Sequence, residues 1–290
     1  MKFLIIFDQR SGSTLLSKLI TENLNAVVLP ESNFILKVIE CSSSKKALYQ
    51  KLISEKKFLN FRIKLEKLEK IIDKNFLNKK KLINIIVQEA NKNIYKKKNM
   101  TIGTKLNQVD HINKLISIYK DKLKLIFLIR DVKDVFLSKR KIYNESISRG
   151  YKFSNSILYN SYYWLKIILF LENKKKTLVI RYEDLINNKN DISKIRNFLK
   201  IDMRKKRIKF FLPYQDKEIH PNIRKKIISD NLKKYQNNLN FYEKFMFDMY
   251  CHSMLYKFGF SKMNYFFWVT SSLFIYLVRI KIFFLKIKFD

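Results

Sequence analysis

Phe3-Leu4-Ile5-Ile6-Phe7 leads into Asp8-Gln9-Arg10-Ser11-Gly12-Ser13-Thr14 and then into an apolar-periodic segment from Leu15 to Leu24. Five consecutive apolar residues fit a strand buried on both faces, whereas Leu15, Leu16, Leu19 and Ile20 mark one face of a helix. The order is strand, short polar loop, helix. A loop in that position sits at a helix N-terminus, where the unpaired N–H groups of the first turn and the positive end of the helix dipole meet whatever occupies it. Arg10, Ser11, Ser13 and Thr14 surround Gly12 with further donors, so the stretch reads as a phosphate cradle. It is not the nucleoside-triphosphate version, because G-x-x-x-x-G-K-[ST] is absent and the loop holds one glycine. The competing reading is a Ser-rich turn that merely caps a helix.

Downstream segments repeat the alternation of strand and helix. Ala26-Val27-Val28-Leu29 is a short apolar run ending at Pro30-Glu31, as a parallel strand ends at the ligand-facing edge of a sheet. Thr101 to Leu106 predicts a third strand with Lys105 near its end, Leu123 to Ile129 a fourth closed by Arg130, and Thr177 to Arg181 a fifth. Helices are expected from about Val132, carrying Ser138, and from about Ser156 to Glu172. Between Phe34 and Lys98, and again from Asp184 to Phe258, the pattern is helical and basic. Strands separated by connections long enough for right-handed crossovers imply an α/β fold: a three-layer α/β/α sandwich around a central parallel sheet, of the P-loop-like nucleotide-binding kind.

At 290 residues without a Pro/Gly/Ser-rich linker, the chain reads as one large domain over residues 1–262 and a distinct tail over residues 263–290. Met263 to Val278 carries no charge and includes Phe266, Phe267, Trp268, Phe274 and Tyr276, with Arg279, Lys281, Lys286 and Lys288 following. A spanning helix needs about twenty apolar residues, so the tail suits an anionic membrane surface better than a crossing, packing on the domain being the other option. The formal net charge of +35 favours anionic ligands. Its lysines are spread along the chain and no basic-motif fold is recognisable, so nucleic acid is not the expected partner. Cys41 and Cys251 lie far apart with no second ligand at metal spacing, and the five-residue apolar run before Asp8 is too short for a signal-peptide core. A cytoplasmic protein with reduced thiols and no metal site is expected, its tail offering a peripheral hold on the inner face of the membrane.

Arg10-Ser11-Gly12-Ser13-Thr14-Leu15-Leu16 resembles the 5′-phosphosulfate loop of sulfotransferases that use 3′-phosphoadenosine 5′-phosphosulfate, in particular the R-S-G-[ST]-T branch of bacterial carbohydrate and tyrosylprotein sulfotransferases. Arg130-Asp131-Val132-Lys133-Asp134-Val135-Phe136-Leu137-Ser138 resembles the family's 3′-phosphate motif, in which a strand-end arginine and a serine eight residues later grip one phosphate. The alternative there is a local Arg130–Asp131 ion pair with Ser138 in solvent. Pro30-Glu31-Ser32-Asn33-Phe34 resembles the segment that carries the general base, Gly103-Thr104-Lys105-Leu106 a strand end that offers a lysine to the sulfuryl group, and Val179 to Leu185 a structural segment.

The resemblance therefore implies donor binding by Arg10, Ser11, Gly12, Ser13, Thr14, Leu15, Arg130 and Ser138, and catalysis by Glu31, Lys105 and Arg10 without a metal. The partners implied are the donor 3′-phosphoadenosine 5′-phosphosulfate and a hydroxyl-bearing acceptor. The glycine-rich 3′-phosphate loop of cytosolic relatives is not recognisable near Pro221 to Lys226. A P-loop-related small-molecule kinase is the second enzyme reading, set back by the missing loop lysine and strand-end acid for Mg²⁺. A catalytically dead, membrane-associated binding protein on the same fold is the third.

Overall fold

The structure is a computed structural model that describes residues 1–97, 100–109, 112–146, 154–172, 174, 177–187, 190–204, 208–213 and 232–287. Five parallel strands, β1 (Phe3–Phe7), β2 (Ala26–Val28), β3 (Thr101–Leu106), β4 (Lys124–Ile129) and β5 (Thr177–Arg181), pair in the order β2-β3-β1-β4-β5. The first apolar run of the sequence is thus the central strand. Ile5 lies opposite Lys105 on one side and Ile126 on the other.

Between the strands run α1 (Ser13–Asn23), α2 (Phe34–Glu40), α3 (Lys45–Ile53), α4 (Lys56–Leu59), α5 (Leu65–Asn75), α6 (Lys79–Tyr95), α7 (Ile112–Tyr119), α8 (Val132–Ser146) and α9 (Ile157–Glu172). After β5 come α10 (Tyr182–Asn187), α11 (Asn190–Leu199) and two long C-terminal helices, Phe241–Lys257 and Tyr265–Ile287. Side chains alternate across a strand, and this splits the core in two. Leu4, Ile6, Leu125 and Phe127 pack with α2, α3, α5, α6 and α7 on one face. Phe3, Ile5, Phe7, Ile126 and Leu128 pack with Leu16 and Ile20 of α1 and Leu185, Ile195 and Leu199 of α10 and α11 on the other. Helices on both faces of an all-parallel sheet make the three-layer α/β fold that the sequence implies.

The helical reading of the segment after Asp184 is too generous. Past Leu199 the chain turns extended: Met203 forms an antiparallel bridge to Leu24, and Arg204 donates from Nε to the Leu24 carbonyl (2.9 Å) and from Nη2 to the Ala26 carbonyl (2.8 Å). Those bonds cover the open edge of β2, where unpaired backbone groups otherwise invite another strand. Pro221 to Lys226 lie outside the described residues, as do His111, His220 and Lys288.

The tail is a helix, Tyr265–Ile287, lying against Phe241–Lys257 and α9. Ile275 and Val278 enter a third core cluster with Phe247, Cys251 and Leu255, together with Phe136 of α8 and Trp164 of α9. Ser271 is buried there and its hydroxyl accepts the Ser253 N–H at 2.9 Å.

Candidate active site

All five strands point their carboxyl ends at one edge of the sheet, and the first four each deliver a residue singled out by the sequence. Arg10 follows β1, Glu31 follows β2, Lys105 lies near the end of β3, Arg130 follows β4 and Tyr182 follows β5. In open α/β sheets the ligand crevice lies outside this edge, where strand order reverses around the central strand.

The first loop is shaped by two left-handed backbone positions, Arg10 (φ 71°) and Gly12 (φ 92°). A side chain at Gly12 has no room: a Cβ there stands 2.3 Å from Tyr182 Cδ2. Glycine therefore satisfies both the positive φ and the close approach of the Tyr182 ring. Helix α1 starts at Ser13 behind Gly12, which as N-cap residue supplies no side-chain cap, and it has no acid in its first turn. Ser11 is buried, and its Oγ has no hydrogen-bond partner among the described residues. A buried hydroxyl left in this way, at the positive end of a helix dipole, fits an anionic oxygen. Ser13 and Thr14 are also buried, and Leu15 is half-buried on the first turn. An ordinary capping turn has its serine on the helix amides, and this loop does not.

Arg10, Arg130 and Ser138 are brought together. Arg10 Nε donates to Ser138 Oγ at 3.1 Å, and Arg130 Nη1 donates to the carbonyl of Arg10 at 3.2 Å. The Arg130 guanidinium also lies over the Tyr182 ring, 4.3 Å from its centroid. Among the described residues it pairs with the Asp134 carboxylate at 3.8 Å, one helical turn on. Asp131 instead accepts the Lys133 N–H at 2.8 Å and so caps α8, while Asp134 accepts the N–H groups of Lys233 (2.9 Å) and Tyr235 (3.1 Å). Trp164 Nε1 holds the Arg130 carbonyl at 2.9 Å. Two cations, a hydroxyl and a helix N-terminus thus converge on one loop.

Burial dominates the titration of the carboxylates beneath it. The Asp131 carboxyl is pushed up from 3.8 to about 7 by burial, against the pull of Lys133. Burial also raises Glu183, whose Oε1 accepts the Asp131 N–H at 3.2 Å, and raises the Tyr182 phenol.

Glu31 and Lys105 occupy the neighbouring strand ends. Glu31 is half-buried and accepts from Lys57 Nζ of α4 at 2.7 Å. Its neighbour Ser32 is buried with its hydroxyl on the Phe34 N–H (3.1 Å), and Glu55 holds the Asn33 N–H (2.7 Å), so the segment after β2 is tied down at each residue. Lys105 is buried on the α1 face of the sheet, in register with Ile5.

Sequence reasoning undervalued Tyr182, which the segment Val179 to Leu185 offers only as structure. It also missed the Asp8–Lys139 pair, in which Lys139 Nζ donates to both Asp8 oxygens at 2.9 Å with both side chains buried. That pair pins the exit of β1 to α8. The only sequence hint is that an acid directly after five buried apolar residues needs a partner.

Residues 3–205 match the family model described as the sulfotransferase family. The fold is similar to the sulfotransferase domain from the curacin biosynthetic pathway, with TM-score 0.58 and 14% identity over 90% of this chain and 98% of that one. It is also similar to the sulfotransferase domain from the Synechococcus PCC 7002 olefin synthase, with TM-score 0.56 and 16% identity over 90% of this chain and 95% of that one. No curated protein matches the sequence. At these identities the structural likeness speaks for the fold, and the family match over residues 3–205 carries the assignment: the chain belongs to the sulfotransferase family.

Proposed function

We propose that this protein moves the sulfuryl group of 3′-phosphoadenosine 5′-phosphosulfate to a hydroxyl on a carbohydrate, lipid or peptide. The observation that carries the reading is the linked set of Arg10, Ser138 and Arg130 around the N-terminus of α1, beside the buried Ser11 hydroxyl. In this reading the 5′-phosphosulfate lies against the amides of Ser13, Thr14 and Leu15, with Ser11 and Gly12 framing it. Arg130 and Ser138 take the 3′-phosphate, since a forked guanidinium and a hydroxyl match phosphate oxygens. The acceptor oxygen attacks sulfur in line, the bond from sulfur to the bridging phosphate oxygen breaks, and adenosine 3′,5′-bisphosphate leaves. Arg10, Lys105 and the loop amides stabilise the charge that builds on the sulfuryl and the leaving phosphate, while Glu31 removes the acceptor proton. The transition state is loose, as in phosphoryl transfer, so positioning and charge supply most of the rate.

The helices over residues 34–95 lie beside Glu31 and are the natural walls of the acceptor pocket. The reading places the enzyme in the cytoplasm with its C-terminal helix against the inner membrane face. Incubation of the purified chain with sulfur-labelled donor and cell-envelope extract tests it. Label is expected in an acceptor, with one adenosine 3′,5′-bisphosphate released per transfer. Donor binding without any labelled product, from extracts rich in sugar, lipid and peptide hydroxyls, contradicts it.

A further inference from the structure

The helix Tyr265–Ile287 is apolar on two opposite sides, and the domain covers only one of them. Ser271, Ile275 and Val278 are buried against Phe241–Lys257 and α9. On the other side Tyr265, Phe266, Val269, Leu273, Tyr276 and Leu277 repeat at helical spacing, and all are exposed, Tyr265 by 77% and Leu273 by 65%. A helix that is apolar nearly all round needs an apolar medium on each side. The stripe does not end with its own helix. Phe266 meets Phe267 (centroids 5.4 Å apart), Phe267 meets Phe245 (5.4 Å) and Phe245 meets Phe241 (6.2 Å), so the aromatic surface continues onto the start of the preceding helix, where Phe241 and Tyr242 are again exposed. A contiguous apolar surface of this kind marks an interaction site.

Charge selects the occupant. From Met249 to Phe289 the sequence has Lys257, Lys262, Arg279, Lys281, Lys286 and Lys288 and no Asp or Glu, in a chain of net charge +35; Lys257 and Arg279 pair with Glu172 of α9, and the other cations carry the argument. A second copy brings the same positive charge to the same face and is repelled. An anionic bilayer attracts it, and Trp, Tyr and Phe with flanking cations are the side chains that settle at the headgroup level. The stretch Tyr265–Ile282, with mean hydropathy 1.3 and only Arg279 and Lys281 charged, is long enough by length and composition to cross a bilayer, yet its packed face ties it to the domain. We propose that the exposed face of this helix, extended by Phe241 and Tyr242, docks the folded domain flat on an anionic lipid surface.

Flotation of the full chain with phosphatidylcholine vesicles, with and without phosphatidylserine, tests the surface. Trp268 is 41% exposed on its flank, whereas Trp164 is 2% exposed in the core, so brominated acyl chains should quench one tryptophan and spare the other. The expected results are flotation with the phosphatidylserine vesicles, at least about tenfold weaker binding to phosphatidylcholine alone, and partial quenching of the fluorescence. The double variant Leu273→Glu/Tyr276→Glu changes only exposed positions, and it should lose at least about tenfold in affinity for the anionic vesicles. Absence of flotation overturns the proposal. So does flotation without quenching and undiminished in the variant, which means diffuse charge rather than this face. Self-association that buries Trp268 and leaves lipid binding absent assigns the face to a second copy instead.

Discussion

Glu31 and Arg130 illustrate how differently two site residues are built. Glu31 is held from one side by Lys57, a half-exposed contact that leaves the second carboxylate oxygen available. In the proposed reading Glu31→Gln removes the proton acceptor and nothing that touches the donor. Turnover should therefore fall about 10²–10⁴-fold while the affinity for adenosine 3′,5′-bisphosphate stays within a factor of two or so, read by steady-state kinetics beside calorimetry. Arg130, in contrast, is wrapped by the Arg10 carbonyl, the Tyr182 ring and Trp164. Arg130→Ala and Ser138→Ala should each weaken the 3′-phosphorylated nucleotide by about 1.5–3 kcal/mol and hardly change the affinity of the 5′-phosphate without it. Ser138→Ala also frees Arg10 Nε, so part of its loss should appear in turnover. Equal losses for both nucleotides exclude a 3′-phosphate at this position.

The first strand–loop–helix unit is the most legible element, because period and polarity change at each of its borders within a few residues. Gly12 was visible as a glycine but not the reason for it, which is the Tyr182 ring arriving from β5. Long-range partners of this sort leave no local spacing. The same is true of Lys139, whose place beside Asp8 depends on how α8 packs. Lys139→Met strands a buried carboxylate at the exit of β1 and should cost about 3–5 kcal/mol in urea unfolding at pH 7. The penalty should shrink as pH falls, since burial already favours the protonated Asp8. At the N-terminus of α8, Asp131 gives a pH signature that also comes from burial. Its folded value, about 7, lies above the ordinary 3.8, so the folded state holds the proton longer than the unfolded one. Its contribution to stability is present in full below 3.8 and is lost as pH rises through 7, with a slope of at most about 1.4 kcal/mol per pH unit. Asp131→Asn, which can still cap α8, should flatten that slope between pH 4 and 7 in thermal melts, roughly as the linkage requires.

Over the molecule, the five strands were readable because parallel strands buried on both faces leave unbroken apolar runs. Their order was not, since a pattern of β and α segments does not say which strand lies in the middle. The extended return from Leu199 past Met203 was missed for a related reason: Arg204 binds carbonyls of Leu24 and Ala26, and such bonds to a distant edge strand have no period. The tail showed its apolar character in sequence, while its division into a packed and an open face needed the helix to be seen against the domain. The candidate site gains its coherence from the same architecture, because a single sheet edge gathers residues from Arg10 to Tyr182 that are far apart in the chain. The central claim is that this edge holds a nucleotide by two phosphates without help from a divalent ion. Titration calorimetry of the full chain with adenosine 3′,5′-bisphosphate, adenosine 5′-phosphate and ATP, each with and without Mg²⁺, tests it most directly. The account predicts that the bisphosphate binds at least about tenfold more tightly than the monophosphate and is indifferent to Mg²⁺, as one added charge-assisted phosphate contact requires. Preference for ATP with Mg²⁺, or equal affinity for the two adenosine phosphates, would contradict it.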